Sequence, residues 1–432
     1  MKFYSTNNHS HDVSLQEAVL NGLAPDHGLY MPEKIPVLSL AELNTWRDQT
    51  FQEIAFTVAH KLLSDDLPSD VLQRIIQHTI SFDAPLKELE KNVFALELFH
   101  GPTLAFKDFG ARFMSQVLGY FARQQNREVT ILVATSGDTG SAVANGFLNV
   151  PGTRVIVLYP SGKVSDIQEK QFTTLGGNCI ALEVNGTFDD CQRLVKESFL
   201  DRELRQDYFI TSANSINIAR LIPQAFYYCY AWSRLTEKKK IVFSVPSGNF
   251  GNLTAGLIAK RMGLPIHHFV AATNVNDSVP RYLSTGKFQS HTSIATISNA
   301  MDVGNPSNLA RMLDLYHQDV KALSEDITGF AFTDEQTRAV MKNVYHQTGY
   351  CLDPHGAVGY LGLKKFQQQH ADDTGVFLET AHPAKFLNVV EEAIERSIAI
   401  PAELQKFLAG EKKSIPVSSH FQELKLLLKR IL

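Results

Sequence analysis

From about residue 90 to 275, short apolar runs rich in β-branched residues alternate with stretches whose apolar positions recur every three or four residues. The spacing predicts strands at Val93–Leu98, Val129–Ala134, Thr153–Tyr159, Cys179–Val184, Tyr208–Thr211, Ile241–Val245 and His268–Ala272. Helices are expected at Thr139–Phe147, Ser165–Thr174, Phe188–Phe199, Asn217–Arg234 and Leu253–Met262. The strand runs are apolar on both faces, as a sheet covered by helices on each side requires. Such alternation predicts an α/β protein with largely parallel sheets. Ligands in these folds bind beyond the carboxyl ends of strands, where loops lead into helices. Residues 1–90 read as mainly helical, with connections at Pro25, Pro32, Pro36, Pro68 and Pro85; 276–350 is mixed, and 386–432 reads as helical. The pattern divides the chain into 1–90, an α/β domain over 91–235, a second over 236–390, and a C-terminal helical segment over 391–432.

Three strand-to-helix junctions carry candidate chemistry. In the first, His100-Gly101-Pro102-Thr103 leads through Leu104, Ala105 and Phe106 to Lys107 and Asp108. Asp108 reads as an N-cap, with Phe109, Phe113, Val117 and Phe121 sharing one helix face. Apolar neighbours and the positive end of a helix both disfavour an ammonium, so the Lys107 amine is expected to titrate low, as a Schiff-base lysine requires. A lone lysine is more often a snorkelling one, and the other junctions are what shift that balance. The second junction is Ala134-Thr135-Ser136-Gly137-Asp138-Thr139-Gly140-Ser141, where small residues expose backbone N–H groups to an anion. The third, Pro246-Ser247-Gly248-Asn249-Phe250-Gly251-Asn252, follows a strand and opens a helix. It is neither a Walker A loop nor GxGxxG, and it suits a small phosphate monoester. A tuned lysine beside a phosphate cradle suggests pyridoxal 5'-phosphate, with Gly248, Asn249, Phe250, Gly251 and Asn252 on its phosphate. Thr380, ending the apolar run Phe377-Leu378-Glu379, offers a hydroxyl to the ring nitrogen.

Composition narrows the partners. Among 432 residues, 41 basic side chains against 45 acidic ones give a net charge of −4, and Lys238-Lys239-Lys240 is only a short exposed patch entering a strand. Nucleic acid and anionic membranes are therefore not expected partners. No apolar run reaches the roughly 18 residues of a spanning helix, and the start lacks the apolar stretch of a signal peptide, so a cytoplasmic location is expected. Cys179, Cys191, Cys229 and Cys351 are scattered, and the histidines show no metal-binding spacing, so neither disulfide nor metal is expected.

The chain resembles the threonine synthase family of fold-type II pyridoxal-phosphate enzymes over nearly its whole length. The resemblance is carried by Glu17-Ala18-Val19-Leu20, Gly22-Leu23-Ala24-Pro25-Asp26 and Gly28-Leu29-Tyr30-Met31-Pro32. His100 to Asp108, Ser136 to Gly140, Ser247 to Asn252 and Asp353-Pro354-His355-Gly356-Ala357 carry it further. It implies a tryptophan synthase β-like fold, with two parallel-sheet α/β domains and a helical N-terminal region. By resemblance, Lys107 holds the cofactor and moves protons, Gly248 to Asn252 bind its phosphate, Thr380 faces its ring nitrogen, and Asp138 faces its phenolic oxygen. Thr135, Ser136 and Thr139 match substrate-binding positions, and so do Asn214, in Asn214-Ser215-Ile216-Asn217, and Arg220, which follows that element. The implied reaction converts O-phospho-L-homoserine and water to L-threonine and phosphate, by a monomer or homodimer. A threonine or serine dehydratase shares the cofactor and lysine, and the N-terminal block argues against it.

Overall fold

The computed structural model describes residues 1–236 and 240–432, so Lys238 and Lys239 of the basic patch lie outside the described residues. Lys240 is exposed, and its carbonyl accepts the Thr374 N–H at 3.0 Å. The chain forms two compact units. The first comprises Met1, 31–106 and 221–399; the second comprises 2–30, 107–220 and 400–432.

The first unit is built on a six-stranded sheet. Its order is Ile327–Ala331, His268–Thr273, Ile241–Pro246, Thr374–Glu379, Val93–Glu97 and Leu86–Glu90. Every pair is parallel except the last, which is antiparallel. The central strands Ile241–Pro246 and Thr374–Glu379 are buried at every residue; the first was expected from its apolar run, whereas of the second only the Phe377-Leu378-Glu379 end gave a strand-like signal. Val242, Val270, Phe377, Leu352, Leu363 and Val390 meet in one core, each 0% exposed. At about 1.5–3 kcal/mol per fully buried large aliphatic or aromatic side chain, that core fixes the sheet on which the loops stand.

The second unit holds a five-stranded, fully parallel sheet. Its order is Ile415–Ser418, Cys179–Asn185, Thr153–Pro160, Val129–Ala134 and Phe209–Ser212. Leu132, Ile156 and Leu182 of that sheet pack with Leu424 and Leu428 of the terminal helix Phe421–Ile431. The second unit also contains an antiparallel pair, Phe3–Ser5 with Asn8–Val13.

Several expectations are corrected. The helix expected after Asp108 spans Lys107–Gln125, so Asp108 lies in its first turn rather than capping it. The helix expected at Asn217–Arg234 is two, Ile218–Leu221 and Gln224–Arg234, separated at Pro223, which has no N–H for an i−4 bond. The C-terminal region contains a strand, Ile415–Ser418, which pairs in parallel with Cys179–Asn185. Among the described residues no helix is long and apolar enough to cross a membrane, and no cluster of three or more His, Cys, Asp or Glu residues could hold a metal.

Candidate active site

In the second unit, Lys107 begins a 19-residue helix whose buried face includes Phe109, Phe113, Val117 and Phe121. Its amine lies 3.9 Å from Asp138 Oδ2, with the two side chains 16% and 4% exposed. The expectation for Lys107 took in only apolar burial and the helix end, and left out this buried carboxylate. Asp138 is held in place by Gln168, whose Nε2 donates to Oδ1 at 2.8 Å. Gln168 packs on Gly137, where the backbone has φ +142° and an added Cβ would fall 2.5 Å from the amide carbon, so only glycine fits the turn.

The N–H groups of this loop are partly spoken for. Thr135 Oγ1 accepts from Gly137 N at 2.9 Å and Gly140 N at 2.8 Å. Thr135 is 1% exposed and holds the loop's shape, so fewer amides remain for an anion than the sequence suggests. Ser136 and Thr139 are half-buried and reach the surface of the loop. Asn214 joins the same constellation, since its Nδ2 donates to the Ala134 carbonyl at 3.2 Å. Arg220 is 4% exposed and donates through Nη1 to the Ala213 carbonyl. Burial pushes its guanidinium down to about 10, with the charge of nearby Asp108 opposing the shift.

The first unit supplies the glycine loop. Phe250 adopts a left-handed conformation (φ 61°) that turns the chain into helix Gly251–Arg261, whose N-terminus carries no side-chain cap. Uncapped first-turn amides and the helix dipole together favour an anion. Gly248 sits where a Cβ would meet Met301 Cα at 2.7 Å and the Ala300 carbonyl at 2.8 Å. Asn249 is fixed by Ser307 N, donating to its Oδ1, and by Asn308 Nδ2, donating to its carbonyl at 3.0 Å. Asn252 Oδ1 accepts from both Tyr227 and Tyr228 hydroxyls, each at 2.7 Å, while its Nδ2 is buried and finds no partner among the described residues. A buried N–H₂ without an acceptor is costly, and a phosphate oxygen would satisfy it.

Thr380 lies one residue past strand Thr374–Glu379, and its carbonyl accepts from Phe106 N at 2.8 Å. The His382 N–H donates to the Leu104 carbonyl at 3.0 Å, Ala105 bridges Ala381, and buried Lys385 donates to the Thr103 carbonyl at 2.8 Å. Segment 103–106, immediately before Lys107, is thus zipped onto 380–385. Taken unit by unit, the glycine loop and orphaned Asn252 amide of the first fit the phosphate of pyridoxal phosphate, and the helix-start lysine of the second fits its aldehyde. Gln168, Tyr227, Tyr228, Asn308 and Lys385 were not singled out from sequence, because their partners lie 24 to 282 residues away.

Comparison with known proteins agrees with this chemistry. Residues 77–380 match the family model for pyridoxal-phosphate dependent enzymes, residues 2–80 that for the threonine synthase N terminus, and 356–427 that for the threonine synthase C-terminal region. The chain is 46% identical over 408 residues to the threonine synthase of Haemophilus influenzae, covering 94% of each. It superposes on the crystal structure of threonine synthase from Escherichia coli with a TM-score of 0.94 at 42% identity, over 100% of both chains. Pyridoxal-phosphate-bound threonine synthase from Brucella melitensis gives a TM-score of 0.93 at 32% identity, over 100% of this chain and 99% of that one. The resemblance and fold class read from sequence are borne out. The chain belongs to the threonine synthase family of pyridoxal-phosphate-dependent enzymes.

Proposed function

We propose that the chain converts O-phospho-L-homoserine and water to L-threonine and phosphate, with Lys107 as the residue that binds the cofactor and moves the protons. The observation that carries this reading is the amine of Lys107, at the start of its helix, 3.9 Å from buried Asp138. Pyridoxal phosphate, when bound, supplies an electron sink for negative charge developing at the substrate Cα. The amides of Gly248 to Asn252 and the Asn252 side chain would hold the cofactor phosphate. Thr380 would offer its hydroxyl to the ring nitrogen, and Asp138 would lie toward the phenolic oxygen.

Lys107 as a free amine removes the Cα proton and returns protons later, acting as general base and acid in turn. Asp138, steered by Gln168, sits 3.9 Å from that amine and offsets its charge when it carries a proton. Loss of a Cβ proton expels phosphate from Cγ; a proton then adds at Cγ and water adds at Cβ, which balances the overall reaction. Ser136 and Thr139 orient the amino acid, and Thr135 keeps their loop in shape. Asn214 and Arg220 take a substrate anion, for which the forked guanidinium is suited.

We place the enzyme in the cytoplasm as a monomer or homodimer; nothing in its charge suits nucleic acid or an anionic membrane. Incubation of the purified holoenzyme with O-phospho-L-homoserine tests the reading. Equimolar phosphate and threonine are expected, and a 2-oxo acid made from threonine with no phosphate released would refute it.

A further inference from the structure

The sequence Asp353-Pro354-His355-Gly356-Ala357 takes no part in the chemistry above, yet its side chains are among the most buried polar groups in the first unit. Asp353 is 0% and His355 2% exposed. Asp353 caps helix Pro354–Gln367, accepting from His355 N at 2.8 Å and Gly356 N at 3.1 Å. Capping requires only the aspartate. The imidazole does something else: its Nδ1 lies 2.6 Å from Asp353 Oδ1, and its Nε2 lies 3.2 Å from the backbone N of Ala300.

A backbone N–H can only donate, so Nε2 acts as acceptor and the ring proton sits on Nδ1, directed at the carboxylate. The ring is packed against Phe386, with centroids 4.9 Å apart. Ala300 belongs to the turn Asn299–Met301, which meets the glycine loop on its other side. The Ala300 carbonyl and Met301 Cα are the atoms that a Cβ at Gly248 would strike. A single residue, Ala300, therefore lies between His355 and Gly248. The following residue, Asp302, is fixed by Thr296 Oγ1 at 2.7 Å and Asn274 Nδ2 at 2.9 Å.

We propose that His355 is a positioning residue, held by Asp353 with its ring proton on Nδ1, that clamps the Asn299–Met301 turn against Gly248 and so governs retention of the cofactor. This rests on the assignment of Gly248 to Asn252 to the cofactor phosphate. The acceptor at Nε2 is the operative atom. Glutamine ends near the position of Nε2 and can present an acceptor there; asparagine ends near Nδ1 and keeps only the bond to Asp353.

The test uses the holoenzymes of wild type, His355→Gln, His355→Asn and His355→Ala. Two quantities are read: the rate of pyridoxal phosphate release on dilution, by absorbance, and backbone hydrogen exchange across 296–304. Loss of one backbone hydrogen bond predicts release about tenfold faster in the Asn and Ala variants, with faster exchange at Ala300, while Gln stays near wild type in both. Equal behaviour of Gln and Asn would overturn the proposal, as would faster Ala300 exchange in Asn with unchanged release. If His355→Ala does not fold, His355→Asn carries the comparison, since it keeps the donor to Asp353. Exchange at Gly248 to Asn252 in wild type, with and without cofactor, separates the two ideas. No protection there would refute the loop assignment, and the proposal with it, whereas Ala300 exchange reports on the clamp alone.

Discussion

Asn252→Asp alters one atom of a buried side chain and reverses its role toward a phosphate. One aspartate oxygen can occupy the Oδ1 position and keep both tyrosine bonds at 2.7 Å. Burial raises the Tyr227 and Tyr228 phenols well above their ordinary range, so both remain protonated donors. The other oxygen replaces the orphaned Nδ2, exchanging a donor for an anion at a helix start that is 6% exposed. Losing one hydrogen bond to a charged group removes about 1.5–3 kcal/mol, and repulsion between like charges adds to it. Affinity for pyridoxal phosphate should fall by about 100-fold or more. Fluorescence titration of the apoprotein measures it, with thermal unfolding of the cofactor-free protein as control. Asn252→Ala makes the contrasting case, because it strips the acceptor from two buried phenols. About 2–6 kcal/mol of stability should be lost there. The secondary contacts of Tyr228 to the Asn252 carbonyl at 3.2 Å and of Tyr227 to Gln224 at 3.4 Å hold the cost toward the lower end. An Asn252→Asp protein that binds cofactor like wild type, with its unfolding temperature unchanged, would refute the assignment of this side chain.

Two further outcomes follow from buried groups of the first unit. His268 stacks on Phe366 and pairs with Thr328 at 2.8 Å, and burial first, then the charges of His267 and Lys260, push its pKa down to about 4. The unfolded chain takes up a proton near pH 6.5 and the folded one only near 4, so this group's contribution is present above pH 6.5 and is lost as pH falls toward 4. The shift corresponds to roughly 3 kcal/mol, and His268→Gln should flatten that part of the pH profile in urea unfolding at pH 7 and 4.5. An unchanged profile would count against it. Lys385→Met deletes the buried ammonium that donates to the Thr103 carbonyl beside Leu104, which is left-handed at φ 55°. Stability should drop by about 1.5–3 kcal/mol, and kcat should fall while cofactor stays bound. Unaltered unfolding temperature and kcat would contradict the anchoring of segment 103–106.

The parts of the fold written in runs of apolar residues were legible. Val129–Ala134, Thr153–Tyr159 and Ile241–Val245 are buried on both faces, so burial alone marks them, and the structure extends the last two by one residue each. Asn8–Val13 is polar at almost every position and offers no such signal. Ile415–Ser418 is a four-residue edge strand in a Leu-rich region, too short to separate from helix by period. The two units interleave distant segments: 2–30 and 400–432 join 107–220, which no local pattern encodes.

At the candidate site, strand-to-helix junctions with glycine and a lysine were visible because the residue types themselves carry the signal. Their supports were not. Gln168 fixes Asp138 from 30 residues away, and Lys385 reaches Thr103 across 282. Thr135 shows the opposite error: a hydroxyl in an anion-binding pattern turns out to bind its own loop, since both its acceptor positions face Gly137 and Gly140.

The central claim is that the amine of Lys107 holds the cofactor covalently. Borohydride treatment of the holoenzyme makes such a bond irreversible, and peptide mapping by mass spectrometry then locates it. The account predicts a single pyridoxyl label on the peptide containing Lys107. A label on Lys385 or any other lysine, or no label on a protein that binds the cofactor, would contradict it.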